Sequence, residues 1–167
     1  PGRRPRAARL LRLRAMARPH PSVILLRVAA LGALTFGVAT GVAYYGGGSE
    51  LCQPGGGCDH VRSSGLGQAI GDALPIVGVL AYSAIFAGAL VARRSVLRVF
   101  AGLAALGGLG AGAFLIYQAA VVGAFCWMCV GVDVSGLVAA GAGVWAIRAG
   151  AGDPEGHWAP VGLWWGL

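Results

Sequence analysis

Residues 123 to 133 read Gly-Ala-Phe-Cys-Trp-Met-Cys-Val-Gly-Val-Asp, so Cys126 and Cys129 form a Cys-x-x-Cys and Asp133 follows four residues later, all in apolar sequence. Two thiols three apart at a helix start share a face, and the positive end of the helix dipole favours thiolate there. Such a pair can cycle between dithiol and disulfide. Asp133, seven residues after Cys126, falls on the same face one turn deeper. A carboxyl group at that depth is costly without a partner or a polar cavity. It therefore marks a pocket beside the thiols or an interhelical hydrogen bond made by the protonated acid.

A second pair, Cys52 and Cys58, brackets Gln-Pro-Gly-Gly-Gly, and Gly55, Gly56 and Gly57 let that segment close a small disulfide ring or swing open. A mobile exposed pair above a fixed pair at the membrane surface is what a thiol–disulfide relay requires: one pair meets a protein dithiol, the other passes electrons to an acceptor in the bilayer. The alternative is a non-catalytic membrane protein in which two structural disulfides brace the outer loop. A four-Cys zinc site is disfavoured by the lipid-edge position, and no metal-ligand spacing, phosphate loop or nucleotide fingerprint occurs, so no metal is expected.

The elements that must position these thiols follow from hydropathy. With 57% of 167 residues hydrophobic, only 11% charged and a mean hydropathy of +0.73, the chain is a membrane protein rather than a soluble domain. Four apolar blocks, about Val23 to Tyr45, Ala73 to Ala92, Val99 to Val122 and Trp127 to Ile147, are each near the roughly 20 residues needed to cross a bilayer core. The expected fold is all-α, a polytopic four-helix membrane bundle spanning residues 23–148. An outer loop or short helix at 46–72 carries the first cysteine pair.

All thirteen basic residues are Arg. Seven precede the first helix, Arg93, Arg94 and Arg98 lie between the second and third, and Arg148 follows the fourth, whereas the first loop holds Arg62 alone beside Glu50, Asp59 and Asp72. By the positive-inside rule both termini are cytoplasmic, and all four thiols face the outer, oxidising side. The net charge of +7 is then a topology-setting arm over residues 1–22 beside anionic lipid, and a nucleic-acid partner is not expected. The acid-free arm also fits an organellar transit peptide but lacks Ser enrichment. Met16 stands just before the first apolar run, with residues 1–15 reading as upstream sequence. Residues 149–167 form a tail whose Trp158–Leu167 stretch is apolar enough to begin a fifth helix. Arg27 is expected to snorkel to the cytoplasmic surface, and Gly37/Gly41 and Gly108/Gly112 to pack helices closely within one bundle. His60 beside Asp59 reads as a loop histidine or as a base for thiol exchange.

Taken together, Cys52, then Cys58-Asp59-His60-Val61-Arg62-Ser63-Ser64, then Leu74-Pro75-Ile76-Val77-Gly78 with Tyr82, then Phe125-Cys126-Trp127-Met128-Cys129 resembles the vitamin K epoxide reductase family, especially its bacterial homologues. The resemblance spans about residues 23 to 148. The DsbB-like membrane thiol oxidases place the two cysteine pairs in the reverse order. What the resemblance implies is a four-helix bundle in a bacterial inner membrane, holding a quinone of the ubiquinone, menaquinone or vitamin K type at its outer end. Cys129 would be the quinone-facing thiol and Cys126 would resolve it and exchange with the loop through Cys58. Cys52 would meet the dithiol of a thioredoxin-like periplasmic protein, or of a fused domain that this four-cysteine sequence does not hold. The implied reaction is thiol:quinone oxidoreduction supporting disulfide formation.

Ser64 would end a short helix lining the pocket, its other reading being a turn hydroxyl. Where vertebrate members carry an Asn and a Tyr against the quinone, this sequence has Leu74 and Asp133. Vitamin K epoxide is therefore not carried over as substrate, and Asp133 is the candidate proton donor or hydrogen-bond partner in place of the Tyr.

Overall fold

A computed structural model of the chain describes residues 19–46, 57–71, 73–91 and 93–152. Cys52, most of the Arg-rich arm and the apolar stretch at 158–167 lie outside the described residues. Every regular element among those described is helical: α1 (Pro21–Tyr45), α2 (Gly57–Ser63), α3 (Gly65–Ile70), α4 (Leu74–Leu90), α5 (Arg94–Tyr117) with a π-helical continuation (Gln118–Val122), and α6 (Trp127–Arg148). The protein is an all-α membrane helical bundle.

Three of these helices are long and apolar enough to cross a membrane: Pro21–Tyr45, Arg94–Val122 and Trp127–Arg148. The fourth apolar block forms α4, which at 17 residues rises about 25 Å and sits at the short end of the spanning range. Its ends are set by chemistry rather than hydropathy. Pro75 occupies the first turn, where a missing N–H costs nothing, and Val91 turns extended before the Arg pair. In contrast, α5 begins at Arg94, five residues ahead of the apolar block, because arginines in a first turn can sit in the aqueous layer while the helix continues past the membrane edge.

The helices close in a ring: α1 packs on α4 and α6, and α5 packs on α4 and α6. The core that joins them is built largely of alanine, with Ala30, Ala33, Ala89, Ala139 and Ala146 fully buried around Leu26, Tyr82 and Ile85. Without a hydrophobic drive between helices in lipid, close backbone approach supplies the packing. A Cβ on Gly108 of α5 would meet Ala140 of α6, and Gly37 and Gly41 of α1 face Val79 and Pro75 of α4, so both glycine pairs pack within the bundle.

The two ends of the ring differ in chemistry. At one end Arg27 Nε donates to the Ala89 carbonyl (2.9 Å), Arg94 Nε donates to the Gly150 carbonyl (3.1 Å), and His20 meets the Trp145 ring edge-on at 5.5 Å. Arg27 thereby caps the Ala89 carbonyl in the last turn of α4. The opposite end carries the described thiols.

Candidate active site

The thiol end is assembled by segments that the sequence spaces far apart. After α5, the helix widens into the π turn, which closes when the Gly123 N–H donates to the Gln118 carbonyl at 2.9 Å. Gly123 adopts φ 66°, a left-handed conformation that glycine enters without a Cβ penalty. The chain then runs extended to Cys126, the N-cap of α6, whose Sγ accepts from the Cys129 N–H at 3.5 Å.

Above this segment lie α2 and α3. Val61 is buried, Arg62 stacks over the Tyr44 ring at 5.2 Å, and the Leu66 N–H donates to the Tyr117 hydroxyl at 3.3 Å. The start of α2 touches the Phe125–Cys126 backbone so closely that a Cβ on Gly57 would collide with the Phe125 carbonyl. Gly57 thus serves close approach and not only flexibility. The contact brings Cys58 Sγ to 3.1 Å from Cys126 Sγ. Cys58 is disulfide-bonded, while Cys126 and Cys129 are thiols. Phe114, Val122 and Met128 complete an apolar wall around the three sulfurs and Val61.

Cys126 is 1% exposed, yet its thiol is held below the usual range, to about 7. The first cause is the hydrogen bond from the Cys129 side chain. The backbone N–H groups of Cys129 and Met128 at the helix start add to it, and burial opposes both.

Asp133 lies along α6 on the buried face shared by Cys129 and Gly136. Its Oδ2 accepts from Gln118 Nε2 at 3.4 Å, while Gln118 Oε1 accepts from the Cys126 N–H at 3.0 Å. Gln118 has no exposed surface. No local spacing in the sequence marks it, and its one signal there is an amide within the apolar run between Arg98 and Cys126. One turn further along α6, the Tyr82 hydroxyl of α4 reaches Gly136 at a distance that leaves no room for a Cβ.

Of the other residues singled out by sequence, Ser64 caps α3. Its hydroxyl donates to the Val61 carbonyl (2.6 Å) and accepts from the Gly67 N–H (3.2 Å), so both bonds are local. Leu74 opens α4 and is 40% exposed, outside the thiol cluster. No group of three or more metal-ligating side chains occurs among the described residues.

The model of the vitamin K epoxide reductase family matches residues 23–142. The chain belongs to that family. Membership makes it an oxidoreductase of the membrane, and the matched span contains all four cysteines together with Gln118 and Asp133. No curated protein and no solved structure matches the chain.

Proposed function

We propose that the chain is a thiol:quinone oxidoreductase, taking two electrons from a thioredoxin-like dithiol protein and passing them through two cysteine pairs to a quinone. The observation that carries this reading is the approach of Cys58 to Cys126 at 3.1 Å, about 1 Å longer than an S–S bond of about 2.05 Å. Exchange between these sulfurs needs little movement.

The electrons balance as follows. The partner dithiol reduces the Cys52–Cys58 disulfide and leaves as a disulfide. The Cys58 thiolate attacks Cys126 of an oxidised Cys126–Cys129 pair, releasing the Cys129 thiolate. Cys52 then attacks Cys58, which restores the loop disulfide and frees Cys126. The resulting Cys126/Cys129 dithiol holds the two electrons and two protons that came from the partner. A bound quinone supplies a two-electron, two-proton sink, and the potential drop drives the flow at about 1.4 kcal/mol per 30 mV.

The residues fit such a group. The Tyr82 side chain is 7% exposed and its hydroxyl has no hydrogen-bond partner among the described residues, which leaves a buried donor in the bundle. Asp133, 7% exposed, stands between it and Cys129 on the same face of α6 and can carry a proton. Cys129 is the thiol placed next to Asp133, and so the one facing the acceptor. Ser64, which caps α3, and Leu74, which opens α4, are carried over from the family resemblance as further residues lining the quinone site.

The orientation follows from charge. Among the described residues every arginine but Arg62 lies at the end opposite the thiols, so the positive-inside rule puts the thiols on the outer face of the cell membrane and both chain ends in the cytoplasm. The test is reduction of a short-chain ubiquinone or menaquinone by the purified protein in detergent, with a reduced thioredoxin-like protein as donor. Turnover that disappears in Cys129→Ala supports the proposal. Absence of turnover in the wild type with either quinone or with vitamin K would leave a protein whose cysteines brace its outer loop.

A further inference from the structure

Resting on the reading above, one residue outside the cysteines ties the centre together. Gln118 uses three groups at once. Its main-chain carbonyl accepts from the Gly123 N–H (2.9 Å), and its side-chain oxygen accepts from the Cys126 N–H (3.0 Å), so both ends of the segment leading to Cys126 hang on this residue. Its side-chain nitrogen donates to Asp133 Oδ2 at 3.4 Å.

The orientation of the amide is not arbitrary. A backbone N–H can only donate, so the atom facing Cys126 must be the oxygen and the atom facing Asp133 must be the NH2. Asp133 Oδ2 is consequently an acceptor in either protonation state. When the acid carries a proton, the proton sits on Oδ1, the oxygen not engaged by Gln118. Complete burial makes the arrangement obligatory, because an unpaired amide or N–H here would carry its full desolvation cost with no water to offset it.

The π turn explains how an α5 residue reaches both groups. The wider turn at Gln118–Val122 ends the helix at the residue that must face α6, and π turns inside α-helices concentrate at functional sites.

We propose that Gln118 is a positioning residue of the thiol relay: it holds Cys126 at exchange distance from Cys58 and fixes Asp133 so that its exchangeable proton lies on Oδ1. Gln118 does not itself touch the reacting sulfurs.

Two substitutions separate these tasks. Gln118→Glu keeps the shape and an oxygen for the Cys126 N–H but removes the donor to Asp133, bringing two carboxyl groups together. Gln118→Leu removes both bonds. In full-length protein in detergent, the first readout is the rate at which the Cys58–Cys126 mixed disulfide forms in a Cys129→Ala background. The second is kcat and KM for a reduced thioredoxin-like donor with a short-chain ubiquinone. Gln118→Glu is expected to keep the mixed-disulfide rate and the donor KM while kcat falls on the order of 10²-fold. Gln118→Leu is expected to lose the mixed disulfide as well, on the order of 10²-fold in rate. Equal behaviour of Gln118→Leu and wild type in the mixed-disulfide assay would overturn the inference. So would a uniform loss of both readouts in Gln118→Glu, since that marks a merely structural amide. If the wild type reduces no quinone, the proposed function fails while the mixed-disulfide comparison still decides the role of Gln118 at Cys126.

Discussion

Cys58 and Cys126 stand 68 residues apart in the chain and 3.1 Å apart at sulfur. Their meeting depends on α2 lying against the extended Phe125–Cys126 segment, which only a residue without a side chain permits at position 57. The loop that carries Cys58 is pinned at three further points, by Val61 in the core, Arg62 on Tyr44 and Leu66 on Tyr117. The proposed exchange would therefore start from a docked loop rather than a free one.

Gly57→Ala tests the docking. The added methyl group collides with the Phe125 carbonyl, and relief costs about 1–3 kcal/mol. In a Cys129→Ala background the Cys58–Cys126 disulfide should form more slowly, while the helical circular dichroism stays that of the parent. An unchanged rate would show that the close approach at Gly57 does not govern the exchange.

The Cys126 thiol predicts a pH dependence. Its value of about 7 lies below that of an ordinary thiol at about 8.5, so the thiolate persists down to neutral pH and is lost only as pH falls through about 7. Thiolate absorbance in the ultraviolet, taken as the difference between reduced protein and Cys126→Ser, should rise with a midpoint near 7. Because the largest cause is the hydrogen bond from Cys129, the same difference measured in a Cys129→Ala background should move its midpoint upward. A midpoint of about 8.5 in both backgrounds would contradict the geometry.

What the sequence showed and what it hid divide along physical lines. The four apolar blocks, the cysteine pairs and the burial of Asp133 could be read directly, because hydropathy and the 3.6-residue period fix which segments enter the bilayer and which residues share a face. Helix ends could not: α5 begins at Arg94 because a helix need not stop where the membrane does. Gly57 read as a flexible residue when its use is close contact, and Gln118 went unseen because its value lies in two partners, at 126 and 133, that no local spacing connects to it.

Asp133→Asn separates proton handling from packing. The Asn carbonyl still accepts from Gln118 Nε2, so the α5–α6 contact survives, but no exchangeable acid proton remains. Quinone reduction should fall on the order of 10²-fold with the mixed disulfide forming normally in the Cys129→Ala background. Full quinone reduction in Asp133→Asn would remove the acid from the mechanism and leave it a packing group.

The bundle itself depends on small residues. Gly108→Leu drives a side chain into Ala140 of α6, and should lower stability in detergent by about 1–3 kcal/mol, read as a lower thermal midpoint. Gly110→Leu, at a position with open space around its Cβ, should leave that midpoint in place. Equal effects of the two would argue against a tight α5–α6 contact.

The most direct measurement is non-reducing mass spectrometry of Cys129→Ala, purified in detergent and digested after alkylation of free thiols. Without Cys129 to compete, Cys126 has only the loop pair within reach, and the account predicts a Cys58–Cys126 disulfide with Cys52 alkylated. Recovery of Cys52–Cys58 alone, with Cys126 alkylated in every molecule, would contradict the relay.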